Sequence, residues 1–206
     1  MVVIHYTAME TADAACRTLC NPETEVSAHY LIAAEGTVMS LVAEGQRAWH
    51  AGAGCWGKLT DVNSHSIGIE LDNNGLTPFS APLMDALIVL LKGITARWAI
   101  RPERVIGHSD MAPGRKIDPG VKFDWRRLWR EGFSVWPDGA VNGDLRDFTP
   151  AMRRFGYTAE VDEALLLDTF RRRFRPSATG PLDAVDAGII CDLAARFPVD
   201  ASVSTA

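Results

Sequence analysis

Two side chains ten positions apart carry the strongest chemical signal in this sequence: His108 and Asp118, at either end of HSDMAPGRKID. Pro113 and Gly114 between them interrupt regular structure, so the chain leaves the apolar pair Val105-Ile106 and wraps. Such a wrap can return an imidazole and a carboxylate to one point. A third ligand is available near the start, where the β-branched run VVIHY predicts a strand that delivers His5 to the rim of a sheet. Two neutral imidazoles, one carboxylate and a fourth position left for water form the ligand set of a catalytic zinc site, whereas structural zinc sites are usually closed and thiolate-rich. This constellation suits hydrolysis.

A solitary histidine at a strand end ordinarily satisfies a local hydrogen bond or faces water; His5 gains meaning from its company. The segments VVIHYTAM, VSAHYLI, AWHAG, NSHSIGIEL and GHSDMAPGRKIDPG occur in that order. Together they resemble the zinc-dependent N-acetylmuramoyl-L-alanine amidases of the AmpD type, relatives of the peptidoglycan-recognition proteins and phage lysozyme amidases, over roughly residues 2–130. The resemblance implies an enzyme that hydrolyses the amide between N-acetylmuramic acid and L-alanine in peptidoglycan or muropeptide fragments. It implies Zn2+ on His5, His108 and Asp118, with Glu70 of SIGIEL as general base and Lys116 of GRKIDPG stabilising the oxyanion. Outside that context a strand-end Glu and a loop Lys would read as solvated. Burial would raise the pKa of Glu70 and zinc would lower it.

The groove around such a centre has several candidate residues. Trp49 and His50 of AWHAG offer an aromatic face and a titratable ring for a sugar or peptide. His29 and Tyr30 point to opposite sides of a strand, so one can line the cleft while the other packs. Asn63 is a candidate contact for the stem peptide, and Arg115 is either solvated or bound to a substrate carboxylate. The segment from Ala51 to Asn63, with Trp56 and three glycines, reads as a substrate-shaping loop.

These residues need a scaffold. VVIHY, HYLIAA, TVMSLV, SIGIEL and Arg104–Gly107 read as strands, with HYLIAA and TVMSLV forming a hairpin about Glu35-Gly36. ETADAACRTLC and about Pro82 to Trp98 read as helices. Hairpin neighbours mixed with crossover helices predict an α/β domain, a mixed central β-sheet flanked by helices, over residues 1–132. The Gly, Pro, Asp and Asn content of 133–146 predicts a linker, followed by a small three-helix domain over 147–199 and a tail over 200–206. AMRRFGY, ALLLDTFRRRFRP and GPLDAVDAGII resemble the small peptidoglycan-binding domain often joined to such amidases, although Thr158-Ala159-Glu160 stand where that domain usually has Asp-Gly. Arg171, Arg172 and Arg173 flank the ring pair Phe170 and Phe174 and read as a solvated helix face.

Composition narrows the class. A hydrophobic fraction of 47% supports a globular core, and a formal charge of -5 argues against a nucleic-acid partner. No apolar run is long enough to span a membrane, and no secretory signal precedes His5. The expectation is a monomer in the cytoplasm, or in the periplasm or cell envelope if the chain is a trimmed form. Cys16, Cys20, Cys55 and Cys191 show no zinc-knuckle or disulfide spacing and read as free thiols. Two rivals remain. A noncatalytic muropeptide-recognition module would use the same groove but characteristically lacks a metal ligand, and a zinc peptidase of the HExxH kind lacks its motif here.

Overall fold

The computed structural model describes residues 1–139 and 142–200. Five strands form one mixed sheet: β1 (Val2–Tyr6), β2 (Tyr30–Ile32), β3 (Val38–Ser40), β4 (Ile67–Leu71) and β5 (Val105–Gly107), in the order β3-β2-β4-β1-β5. The hairpin pair β2 and β3 is antiparallel; the pairs β2/β4, β4/β1 and β1/β5 are parallel. SIGIEL is thus the central strand, and all four parallel strands end at the same edge, where functional groups of such sheets collect.

Period-two alternation decides which side chains reach that edge. Val2, Ile4, Ile67, Ile69, Leu71 and Val105 face a cluster completed by α2 (Ala81–Trp98), through Leu83, Leu87, Leu91 and Ile94, and by α4 (Trp125–Arg130). Val3 and Ile106 face the opposite cluster, so His5 and Glu70, out of phase with the α2 side, emerge on that second face. α2 starts at Ser80, whose hydroxyl accepts from the Leu83 N–H, with Pro82 in its first turn. α1 (Ala12–Leu19), capped by Thr11, flanks the β1 end of the groove.

The second cluster contains the C-terminal helices α5 (Phe148–Phe155), α6 (Glu163–Phe174) and α7 (Ala184–Arg196). Phe148, Phe155, Phe170 and Leu193 pack there together with Val3, Trp56, Ile106 and Met111, so the helices share apolar contacts with the sheet. Part of the segment expected as a linker is buried with them: Ser134 and Val135 are almost fully covered. Residues 140 and 141 of that segment, and the expected tail from 201 on, lie outside the described residues. On α6, Leu166, Leu167 and Phe170 are buried while Leu165 is exposed; on α7, Ile189, Ile190 and Leu193 are buried.

The basic cluster requires a correction. Arg171 and Arg173 are buried, and only Arg172 lies on the outer face, paired with Asp168 one turn earlier. Arg171 reaches Asp186 at 2.5 Å and Arg173 reaches Asp110 at 2.6 Å. α6 is covered on two sides, which leaves no room for a wholly solvated arginine face. All four cysteines are free thiols. Among the described residues no helix is long and apolar enough to cross a membrane.

Candidate active site

The site begins with strand register. His5 stands opposite Glu70 on the neighbouring parallel strand, and Ile4 stands opposite Gly107, so the residue after each partner, His5 and His108, leaves the same sheet edge. His108 opens the short helix α3 (His108–Met111), and the following loop returns Asp118 to it, with the Ser109 N–H donating to the Asp118 carbonyl at 2.9 Å. His5 Nδ1 and His108 Nδ1 are 3.0 Å apart, and they lie 3.0 and 3.1 Å from Asp118 Oδ2. All three side chains are buried.

The remaining ring nitrogens settle the tautomers. His108 Nε2 lies 2.8 Å from the Ala51 carbonyl, which can only accept, so Nε2 carries the proton and Nδ1 presents a lone pair. The Ser66 hydroxyl donates to the Val62 carbonyl at 2.5 Å, so its oxygen accepts from His50 Nε2 at 3.3 Å. His50 Nδ1 then accepts from His5 Nε2 at 3.0 Å, which leaves His5 Nδ1 unprotonated. Two imidazole lone pairs and a carboxylate oxygen therefore converge. Three acceptors at this separation repel one another unless a cation lies between them. Tetrahedral ligands of a zinc ion would stand about 3.3 Å apart, close to the spacing seen here. His5, His108 and Asp118 form a metal-binding arrangement.

Burial tunes the neighbours. Burial, and then His108 beside it, push His5 down to about 4, which favours the neutral imidazole a metal requires. Burial, reinforced by the negative charge of Asp118 and opposed by Lys116, pushes Glu70 up to about 8. Its Oε2 is buried without a hydrogen-bond partner, and the half-buried Glu70 lines a groove together with His5, His108 and Asp118. That groove holds about 580 Å3, the size of a small-ligand site.

The family model described as N-acetylmuramoyl-L-alanine amidase matches residues 1–121. The chain belongs to this amidase family. Amidase AmiD of Escherichia coli is 35% identical over 234 residues, covering 97% of this chain and 84% of AmiD. The 1,6-anhydro-N-acetylmuramyl-L-alanine amidase AmpD of Enterobacter cloacae is 38% identical over 103 residues, 50% of this chain and 55% of its own length. Among solved structures, AmiD in complex with anhydro-N-acetylmuramic acid-L-Ala-D-gamma-Glu-L-Lys superposes with a TM-score of 0.87 at 34% identity, covering 96% of this chain and 89% of that one. AmpDh3 of Pseudomonas aeruginosa also gives 0.87 at 34% identity, over 96% and 91% of the two chains. Both AmiD and AmpDh3 extend the amidase likeness through the C-terminal helices, whereas AmpD matches only half of this chain.

Within the amidase groove, the residues expected from sequence divide in two. Glu70, Lys116, Trp49, His50 and Arg115 line it with the three ligands. Trp49 is 55% exposed, with the Arg47 guanidinium 4.2 Å from its ring centre. Arg115 donates to the Ala51 carbonyl at 2.7 Å and to the Ala53 carbonyl, tying the loop between His108 and Asp118 to its neighbour. His29 and Asn63 do not line the groove. His29 is fully buried: Nδ1 accepts from the Gly68 N–H and Nε2 donates to the Gln46 carbonyl, both at 3.0 Å. Asn63 Oδ1 accepts from the His50 and Ala51 N–H groups at 3.1 and 2.8 Å, so it shapes the loop beneath the site. Trp56 of that loop is likewise turned inward, 4.9 Å from the Tyr157 ring.

Sequence reasoning missed the α1 side of the groove, where Ala15, Thr18 and Leu19 line it. It also missed Ser66, whose only sequence signal is a hydroxyl directly before the central strand. Asp110 was missed as well, although it sits two residues after a ligand inside the most informative motif.

Proposed function

We propose that this protein is a zinc hydrolase that cleaves the amide between N-acetylmuramic acid and L-alanine in muropeptides or peptidoglycan, with Glu70 as general base and Lys116 as oxyanion stabiliser. One observation carries the reading: two imidazole lone pairs and a carboxylate converge within 3.1 Å, in a groove also lined by the half-buried carboxyl of Glu70. The substrates named in the complexes of AmiD and AmpDh3, an anhydromuramic tripeptide and an anhydromuramic pentapeptide, support the same substrate class here.

Zinc, when bound, supplies a Lewis acid for the scissile carbonyl and acidifies water. Glu70, on the groove wall, takes a proton from the attacking water and returns one to the departing amine of L-alanine. Burial raises its pKa, which suits delivery of the proton to the amine, and the positive charge of bound zinc would act in the opposite direction, favouring the carboxylate that the first transfer needs. Lys116 is exposed on the groove wall, where its ammonium can meet negative charge developing on the carbonyl oxygen. Trp49 offers an aromatic platform for the sugar or stem peptide.

The test is mass spectrometry of a purified MurNAc-peptide incubated with native, EDTA-treated and zinc-restored protein and with Glu70→Ala. Release of a stem peptide with N-terminal L-alanine only when zinc and Glu70 are both present is the expected result. Binding of the muropeptide by zinc-loaded protein without cleavage would instead establish a recognition module.

A further inference from the structure

Asp110 is 2% exposed and accepts three hydrogen bonds that come from three parts of the chain. Its Oδ2 accepts from the Gly107 N–H at 2.8 Å, which closes the turn from β5 into α3 directly before His108. The same oxygen accepts from Arg173 Nη1 of α6 at 2.6 Å, and Oδ1 accepts from the Tyr157 hydroxyl after α5 at 2.5 Å. Both donors are buried, Tyr157 completely and Arg173 to 3% exposure. Each is itself fixed. The Arg173 guanidinium lies 4.1 Å from the Trp125 ring centre and also donates to Ser134 Oγ at 3.2 Å, while Tyr157 packs edge-on against Trp56.

We propose that Tyr157 and Arg173 are positioning residues for the metal centre: by holding Asp110 they fix the β5–α3 turn and hence the direction of His108 Nδ1. This rests on the reading of His108 as a metal ligand. The C-terminal helices thus complete the site, in addition to any surface they present. The energetics favour a geometric role over a stabilising one. A buried ion pair recovers little net stability after desolvation, and Arg173 Nε is buried without a partner, so an apolar side chain would serve a purely structural purpose as well. What an apolar side chain cannot do is orient a carboxylate. Groups that orient metal ligands from behind typically alter metal affinity about 10–100-fold.

The experiment measures zinc affinity by competition with a chromophoric chelator, the electronic spectrum of the cobalt-substituted protein, and Tm, for native protein, Tyr157→Phe, Arg173→Lys and Ile190→Val. Ile190 is buried in the same helical core and makes no bond to Asp110, so its variant controls for loss of stability alone. Tyr157→Phe removes one hydroxyl and keeps the ring, so it decides the matter even if Arg173→Lys does not fold. About tenfold weaker zinc binding and a changed cobalt spectrum in Tyr157→Phe, with both unchanged in Ile190→Val, is the expected result. Native affinity and a native spectrum in Tyr157→Phe would overturn the brace and leave the zinc reading intact. Absence of zinc binding by native protein would overturn the zinc reading, and the brace with it.

Discussion

His5 Nε2 donates to His50 Nδ1 across 3.0 Å, and this bond determines which nitrogen of His5 is free for a metal. The chain of donors runs from His5 through His50 and Ser66 to the Val62 carbonyl, so His50 acts on the centre through His5. His50→Ala is expected to weaken zinc binding about 10–100-fold. Gly68 provides an independent check, since a Cβ there would lie 2.3 Å from the His50 ring. Gly68→Ala must displace that ring, and its zinc affinity should fall with that of His50→Ala. If His50 instead contacts only substrate, both variants will show raised KM at native zinc affinity.

Removing metal should destabilise the fold as well as abolish activity, because the three converging acceptors then repel. A ligand present at a hundred times its Kd stabilises the folded state by about 2.7 kcal/mol. Zinc added to the metal-free protein is therefore expected to raise Tm by several degrees in differential scanning calorimetry. An Asp118→Ala variant should show no such rise.

Glu70 makes a pH prediction for the metal-free protein. Burial raises its carboxyl from 4.5 to about 8, so between these values the folded protein retains a proton that the unfolded chain has lost. Stability from this group is full below 4.5 and is lost as pH rises toward 8. The Met1 ammonium, pushed down to about 6 by burial and then by Arg104, acts in the opposite sense between 6 and 8. The informative quantity is thus the difference between native protein and Glu70→Gln. Tm of native protein relative to Glu70→Gln should fall from pH 5 to pH 8; parallel curves would show that Glu70 ionises normally.

Lys116 faces the groove without a buried partner to hold it in place, so its removal should spare the fold. Lys116→Ala is expected to lower kcat about 10²–10³-fold, the scale for loss of one oxyanion donor, with a native Tm. A change confined to KM would assign Lys116 to ground-state binding.

The candidate ligands and the candidate base were legible because each belongs to a short motif at a strand end or turn, where local chemistry dictates local geometry. VVIHY and SIGIEL alternate with period two, which sends His5 and Glu70 to one face once the strands pair in register. The Pro and Gly of HSDMAPGRKID make the loop that returns Asp118 to His108. His29 and Asn63 were candidates for the groove and turn away from it, because motif membership does not reveal which way a side chain points. Their partners are the Gly68 N–H and Gln46 carbonyl for one, and the His50 and Ala51 N–H groups for the other; none could be assigned before the chain was folded.

The arginine cluster shows the same boundary more sharply. On an isolated helix, Arg171 and Arg173 flank an apolar stripe and belong in water. In the fold Arg171 reaches α7 and Arg173 reaches α3, and both arginines are buried against Asp186 and Asp110. The sequence by itself pointed to the element types through local pattern, and to the candidate ligand set and the amidase family through the resemblance that its ordered motifs carry. Only the tertiary structure decided that His50 bonds His5, that Glu70 shares a groove with His5, His108 and Asp118, and that Tyr157 and Arg173 reach Asp110 in the turn at His108. The hydrogen bonds among these residues span 45 positions for His5–His50, 47 for Asp110–Tyr157 and 63 for Asp110–Arg173, and long-range proximity arises from packing that no local pattern encodes.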